Sequence, residues 1–150
     1  MRRQEEEIGR APGPGPGRRR IEFQPMAGQI GNPSMNITMR MIYAKYEGKP
    51  VDIVPVGEAF DIIAEFTAEW PEGNVSLLNP WTVVFTAVCE QDSSIRAYGK
   101  TRFNSSPKSD VMVLDDPKSI VMPDFNCTFR IKGWGHPDWE LVSVPPGDQW

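Results

Sequence analysis

The chain has 150 residues, 16 Lys and Arg against 20 Asp and Glu, and a formal net charge of −4, which allows one compact domain with a real core but not two. Two cysteines exclude a disulfide-dense secreted scaffold, and a single histidine excludes a multi-histidine metal site. No apolar run approaches the roughly 18 residues of a membrane span, and no apolar stretch of signal-peptide type follows the charged N-terminus, so synthesis and folding in a cytoplasm are expected.

Residues 1–34 differ from everything after them. They hold the Glu5-Glu6-Glu7 run, a Gly/Pro alternation from Ala11 to Gly17 and the Arg18-Arg19-Arg20 cluster, with few apolar residues. Such a segment buries too little surface to offset its ordering entropy, so it reads as an extended arm that orders on a partner. Residues 35–150 then form the folded domain, and removing residues 1–34 is expected to leave that domain intact. Six Arg against three Glu give residues 1–20 a net of +3, and the remainder carries −7. A basic arm on an acidic body suits docking onto a neighbour, or onto nucleic acid.

From Met35 the pattern has a period of two. Met35, Ile37, Met39, Met41 and Tyr43 alternate with Asn36, Thr38, Arg40 and Ile42, predicting a strand to about Tyr46. A Glu47-Gly48-Lys49-Pro50 turn follows, then a short segment from Val51 to Val56 that Pro55 marks as edge or bent. Phe60, Ile62, Ala64, Phe66, Ala68 and Trp70 face one way on the next strand, with Asp61, Glu65 and Glu69 on the other side. After breaks at Pro71–Asn74 and Asn79-Pro80, Trp81, Val83, Phe85, Ala87 and Cys89 form another apolar face. A polar connection, Gln91–Ser94, leads into Ile95–Phe103, where Arg96, Lys100 and Arg102 face solvent with Tyr98 among them. Asn104–Asp110 reads as a loop, Val111–Leu114 and Ser119–Met122 as short strands, and Phe125–Lys132 as an alternating strand. A hairpin from Gly133 to Asp138 and a strand from Trp139 to Val144 close the chain. No segment reads as a helix.

Seven to nine short strands separated by turn signals predict an all-β, two-sheet antiparallel β-sandwich, immunoglobulin-like or jelly-roll-like, with the extended N-terminal arm. The stretch from Val121 to Val142, with Pro123-Asp124-Phe125-Asn126, an alternating strand, a Gly-rich corner and tryptophan, resembles the last hairpin of immunoglobulin-like modules in prokaryotic surface and virion proteins. The resemblance covers about a quarter of the chain, is architectural, and implies no site residues.

No residue set announces a chemistry. His136 stands in a Gly/Pro/Trp corner and reads as a loop histidine. Cys89 and Cys127 fall on inward strand faces, could meet across the sandwich, and read as free thiols. Asp61, Glu65 and Glu69 are ordinary outward positions of a half-solvated sheet, and Asp110–Asp116 offers too few oxygen ligands for calcium. Asn36, Asn74, Asn104 and Asn126 open four Asn-x-Ser/Thr sequons, a spacing that turns and outward strand positions also produce. No catalytic residue, metal or cofactor is expected.

Trp70 and Trp81 read as core, while Trp134, Trp139 and Trp150 near the C-terminus are candidates for an exposed contact surface. The arm cations Arg2, Arg3, Arg10, Arg18, Arg19 and Arg20 are candidates for contacts to a partner. The expected function is a non-enzymatic structural subunit of a large symmetric assembly, such as a virion capsid-decorating, capsid or tube protein. Its partners are then neighbouring copies of itself or a major shell protein, with nucleic acid second and no membrane. A carbohydrate- or receptor-binding module using the C-terminal tryptophans is the alternative.

Overall fold

The computed structural model describes residues 17–24, 36–69, 81–103, 108–115 and 120–137. These residues form ten strands: β1 (Arg18–Gln24), β2 (Asn36–Tyr46), β3 (Lys49–Val51), β4 (Ile53–Pro55), β5 (Ala59–Glu69), β6 (Trp81–Cys89), β7 (Arg96–Phe103), β8 (Lys108–Leu114), β9 (Ile120–Val121) and β10 (Cys127–Pro137). No helix occurs among the described residues, and the protein is all-β. One sheet has the order β9-β5-β2-β3, with β8 also paired to β5; the other has the order β4-β1-β10-β6-β7.

The two sheets pack through the faces that the alternation predicts. Phe60, Ile62, Ala64, Phe66 and Ala68 of β5 meet Trp81, Val83, Phe85, Ala87 and Cys89 of β6 in one buried cluster. Phe66 and Phe85 meet across the sandwich with ring centroids 5.1 Å apart. Phe129 of β10 lies edge-on to Phe60 and stacked against Phe23, with centroids 6.4 and 6.0 Å away.

Local sequence accounts for most breaks. Glu47 and Gly48 have φ of 52° and 80° and form a two-residue turn of the primed kind, whose twist matches the flanking strands. Pro50 therefore sits inside β3. The chain changes sheets at Asp52, so the expected single edge segment is two strands, β3 on the first sheet and β4 on the second.

Five further features depart from the sequence expectation. Arg18–Gln24 is a strand of the second sheet, parallel to β10 and antiparallel to β4. Its Ile21 is buried and Phe23 packs against the core, so the arm boundary at residue 34 cuts through the sandwich. In β2 the register shifts between Met39 and Met41, and Ile42 and Ala44 pair opposite the inward residues Ala64 and Ile62. This bulge flips the phase of the strand, turning Met41 and Tyr43 to the outside. β8 begins at Lys108, within the expected loop, because its first residues pair with the end of β5.

β10 runs straight through the expected hairpin at Gly133. Gly133 and Gly135 lie opposite Phe85 and Val83, so they supply room at inward positions. Finally, Cys89 and Cys127 lie on neighbouring strands of one sheet rather than facing each other across the sandwich. Trp70 and the expected closing strand at 139–144 lie outside the described residues.

The edge strands β7 and β8 bring the two sheets together at one side, where the Asp115 N–H donates to the Tyr98 carbonyl. Gly99 makes the approach possible. A Cβ there would lie 2.8 Å from the Val113 carbonyl oxygen and 2.9 Å from Met112 Sδ. Backbone cannot yield cheaply, so Gly99→Ala should lower unfolding free energy by about 1–3 kcal/mol in a denaturant titration.

Candidate functional site

The inner faces are consumed by the core, which leaves the two outer sheet faces, and they differ in character. On the first sheet, Asp61, Ile63, Glu65, Thr67 and Glu69 of β5 point outward between β2 and β8. Pairing aligns Met41, Glu65 and Val111 in one row and Tyr43, Ile63 and Val113 in the next. Met41 is 53 % exposed, Val111 55 % and Val113 36 %, so apolar side chains flank an acidic strand in solvent. The Tyr43 hydroxyl donates to Glu65 Oε2 at 3.1 Å; desolvation, then this hydrogen bond and the Glu65 charge, holds the phenol above its usual range.

On the second sheet, β7 and β10 place Arg96, Lys100, Arg102, Arg130 and Lys132 around the central strand β6. Register sets Arg96, Val88 and Arg130 in one row, and Tyr98, Thr86 and Lys132 in the next. The outward residues of β6, Thr82, Val84, Thr86 and Val88, are nonetheless buried. Long side chains flank them in both rows. Glu90 stands 3.9 Å from Arg130, and Glu22 occupies the flanking strand β1.

The sequence candidates fall differently. Arg19 pairs with Asp124, and Arg20 with Asp52 at 3.1 Å, while Arg18 stays exposed. The Arg20 N–H also donates to Asn126 Oδ1 at 2.8 Å, giving that sequon asparagine a structural partner. These cations thus fasten β1 to the sandwich, each exposed pair contributing about 0–1 kcal/mol. Without them, residues 1–16 hold three Arg against three Glu, so the basic excess lies in β1 and not ahead of it.

Trp134 is only 4 % exposed, which corrects its expected place on a contact surface. Arg2, Arg3, Arg10, Trp139 and Trp150 lie outside the described residues, as do Asn74 and Asn104. In the sequence, Arg96, Lys100 and Arg102 stand out only as solvent-facing. Grouping them with Arg130 and Lys132 requires knowing that β7 and β10 both flank β6.

Other sites are sparse. A cleft of about 320 Å³ opens between β7 and β8, lined by Tyr98, Lys100, Thr101, Val111 and Val113 among others. Among the described residues no three His, Cys, Asp or Glu side chains are grouped to hold a metal ion, and no helix is long and apolar enough to cross a membrane. Cys89 and Cys127 are free and buried, and Cys89 Sγ contacts Gln91 Oε1 at 3.4 Å.

Burial first, and then the neighbouring Cys89, pushes the Cys127 thiol up to about 12 from 9.0. Both thiols are buried, so they should react with a maleimide only after unfolding, and labelling of the native protein at neutral pH would contradict the packing. The same shift links to stability: Cys127 stays protonated when folded but ionises when unfolded above about 9, so stability falls as pH rises from there towards 12.

No protein-family model matches the chain, and neither do any curated protein or solved structure. The fold and its outer faces define an all-β protein of two packed sheets, one outer face acidic and apolar and the other basic.

Proposed function

We propose that this protein is a non-enzymatic structural subunit that associates with further copies of itself, as subunits that build or decorate a virion shell do. The observation that carries this reading is the outer face of the first sheet, where Val111 and Val113 lie exposed on one flank of Glu65 and Met41 on the other. Contiguous exposed apolar residues on a sheet mark an interaction surface rather than a solvated one. Large chemistry-bearing clusters are not needed for such a role.

The immunoglobulin-like or jelly-roll reading of the sandwich, and an arm that contacts neighbours, belong to the same proposal. Two packed sheets, antiparallel except for the β1–β10 pair, support the first. For the second, residues 1–16 with Arg2, Arg3 and Arg10 replace the longer arm, because β1 is committed to the fold. A shell protein is the alternative neighbour, and a virion or other extracellular assembly the expected location. The carbohydrate module has less support, since Trp134 is buried.

Sedimentation velocity over a concentration series tests the reading. The full chain should form oligomers, and a Met41→Lys, Val111→Lys double variant should shift to monomer while keeping its melting temperature. A full chain that stays monomeric at the highest concentration overturns self-assembly.

A further inference from the structure

We infer that the basic outer face of the second sheet docks on the acidic, apolar outer face of the first sheet of another copy, an inference that rests on self-assembly. The chain's overall charge of −4 hides a separation of signs. Asp61, Glu65 and Glu69 share the outer face of β5, with Lys45 opposite Asp61 at one end and Arg40 exposed in the bulge. On the other side of the molecule, Arg96, Lys100, Arg102, Arg130 and Lys132 outnumber Glu22 and Glu90.

The spacing also matches. Successive carboxylates on β5 are four residues apart, as are Arg96 and Lys100 on β7, and four residues of strand span about 13 Å. Laid along one another, the two strands bring opposite charges together at a common pitch. The strands beside β5 then add Val111 and Val113, or Met41 and Tyr43, to the contact. Charges of this kind set register and suppress wrong pairings, while the apolar residues contribute burial.

Two different surfaces meet in this contact, so it is heterologous. Each added copy leaves one face of each kind open, and growth continues unless the rotation between copies closes a ring. A two-fold contact of the basic face with itself would juxtapose like charges.

Charge reversal tests this with the full chain. An Arg96→Glu, Lys100→Glu variant has two acidic faces, and a Glu65→Lys, Glu69→Lys variant has two basic ones. Each alone should self-associate at least about tenfold more weakly than the unmodified chain, because like charges are juxtaposed. Mixed in equal amounts, they should assemble again in alternation, since every contact pairs opposite signs, and recovery shows that both are folded. Raising salt from about 0.1 to about 1 M, where the Debye length falls from ~10 to ~3 Å, should loosen unmodified assemblies.

Unmodified protein that assembles while both variants assemble equally well overturns this inference and leaves self-assembly standing. Unmodified protein that never assembles overturns both. A monomer that binds a single-stranded oligothymidylate, and loses that binding on Arg96→Glu, Lys100→Glu, overturns the inference and assigns the basic face to nucleic acid.

Discussion

Truncation of Phe66 or Phe85 to alanine is expected to cost on the order of 3–5 kcal/mol, the usual range for a core phenylalanine. Both rings are fully buried and lie 5.1 Å apart, one from each sheet, so either truncation opens a cavity at the junction of the two layers. The facing strands are held in their own hydrogen-bonded ladders and can close the gap only in part. Because the rings touch, the double variant should cost less than the sum of the two single losses, the first having already removed the contact. Equilibrium denaturation of the three variants checks both statements. A single variant that melts with the unmodified protein would contradict the assignment of these faces to the core.

Deletion separates the two parts of the N-terminal region. A chain starting at residue 17 keeps both sheets complete and should retain near-normal stability. A chain starting at residue 25 loses β1, and with it the buried Ile21, the Phe23–Phe129 stack and the ladders to β4 and β10. It also strands Asp52 and Asp124 without Arg20 and Arg19. The expected loss is at least about 5 kcal/mol, comparable to the whole stability of a marginal domain. That protein should be largely unfolded at room temperature, visible as lost dispersion in a proton NMR spectrum. A well-dispersed spectrum would show that β1 is an accessory strand.

Self-assembly and strand loss are therefore separable in the shorter deletion only. Removing residues 1–34 together, which the sequence pattern presents as harmless, would abolish assembly by unfolding the subunit. The shorter deletion tests the arm, and the charge reversals test the faces.

Residue-level patterns carried much of the fold. The alternation in β5, β6 and β10 placed Phe60, Phe66, Phe85, Cys89 and Phe129 inward, and all of them are core. The same pattern failed in β2, because a bulge after Met39 changes which residues face in, and nothing local in Met39-Arg40-Met41 signals it. The glycines at 133 and 135 read as a turn, yet opposite the β6 core face they act as space. The candidate surface was half legible: Arg96, Lys100 and Arg102 stood out as solvent-facing, while Met41 and Tyr43 carried the wrong phase.

The sequence by itself determined the class: short strands, their inward faces and the absence of helical periodicity follow from side-chain order, since alternate residues of a strand must point to opposite sides. Only the tertiary structure decided the partners. Ile21 pairs with Cys127 over 100 residues away, which makes a strand of an apparent arm. Likewise, β7 and β10 meet on either side of β6 and gather cations that are scattered along the chain. Such pairings depend on contacts between distant segments that must repay loop-closure entropy, and no local period encodes them.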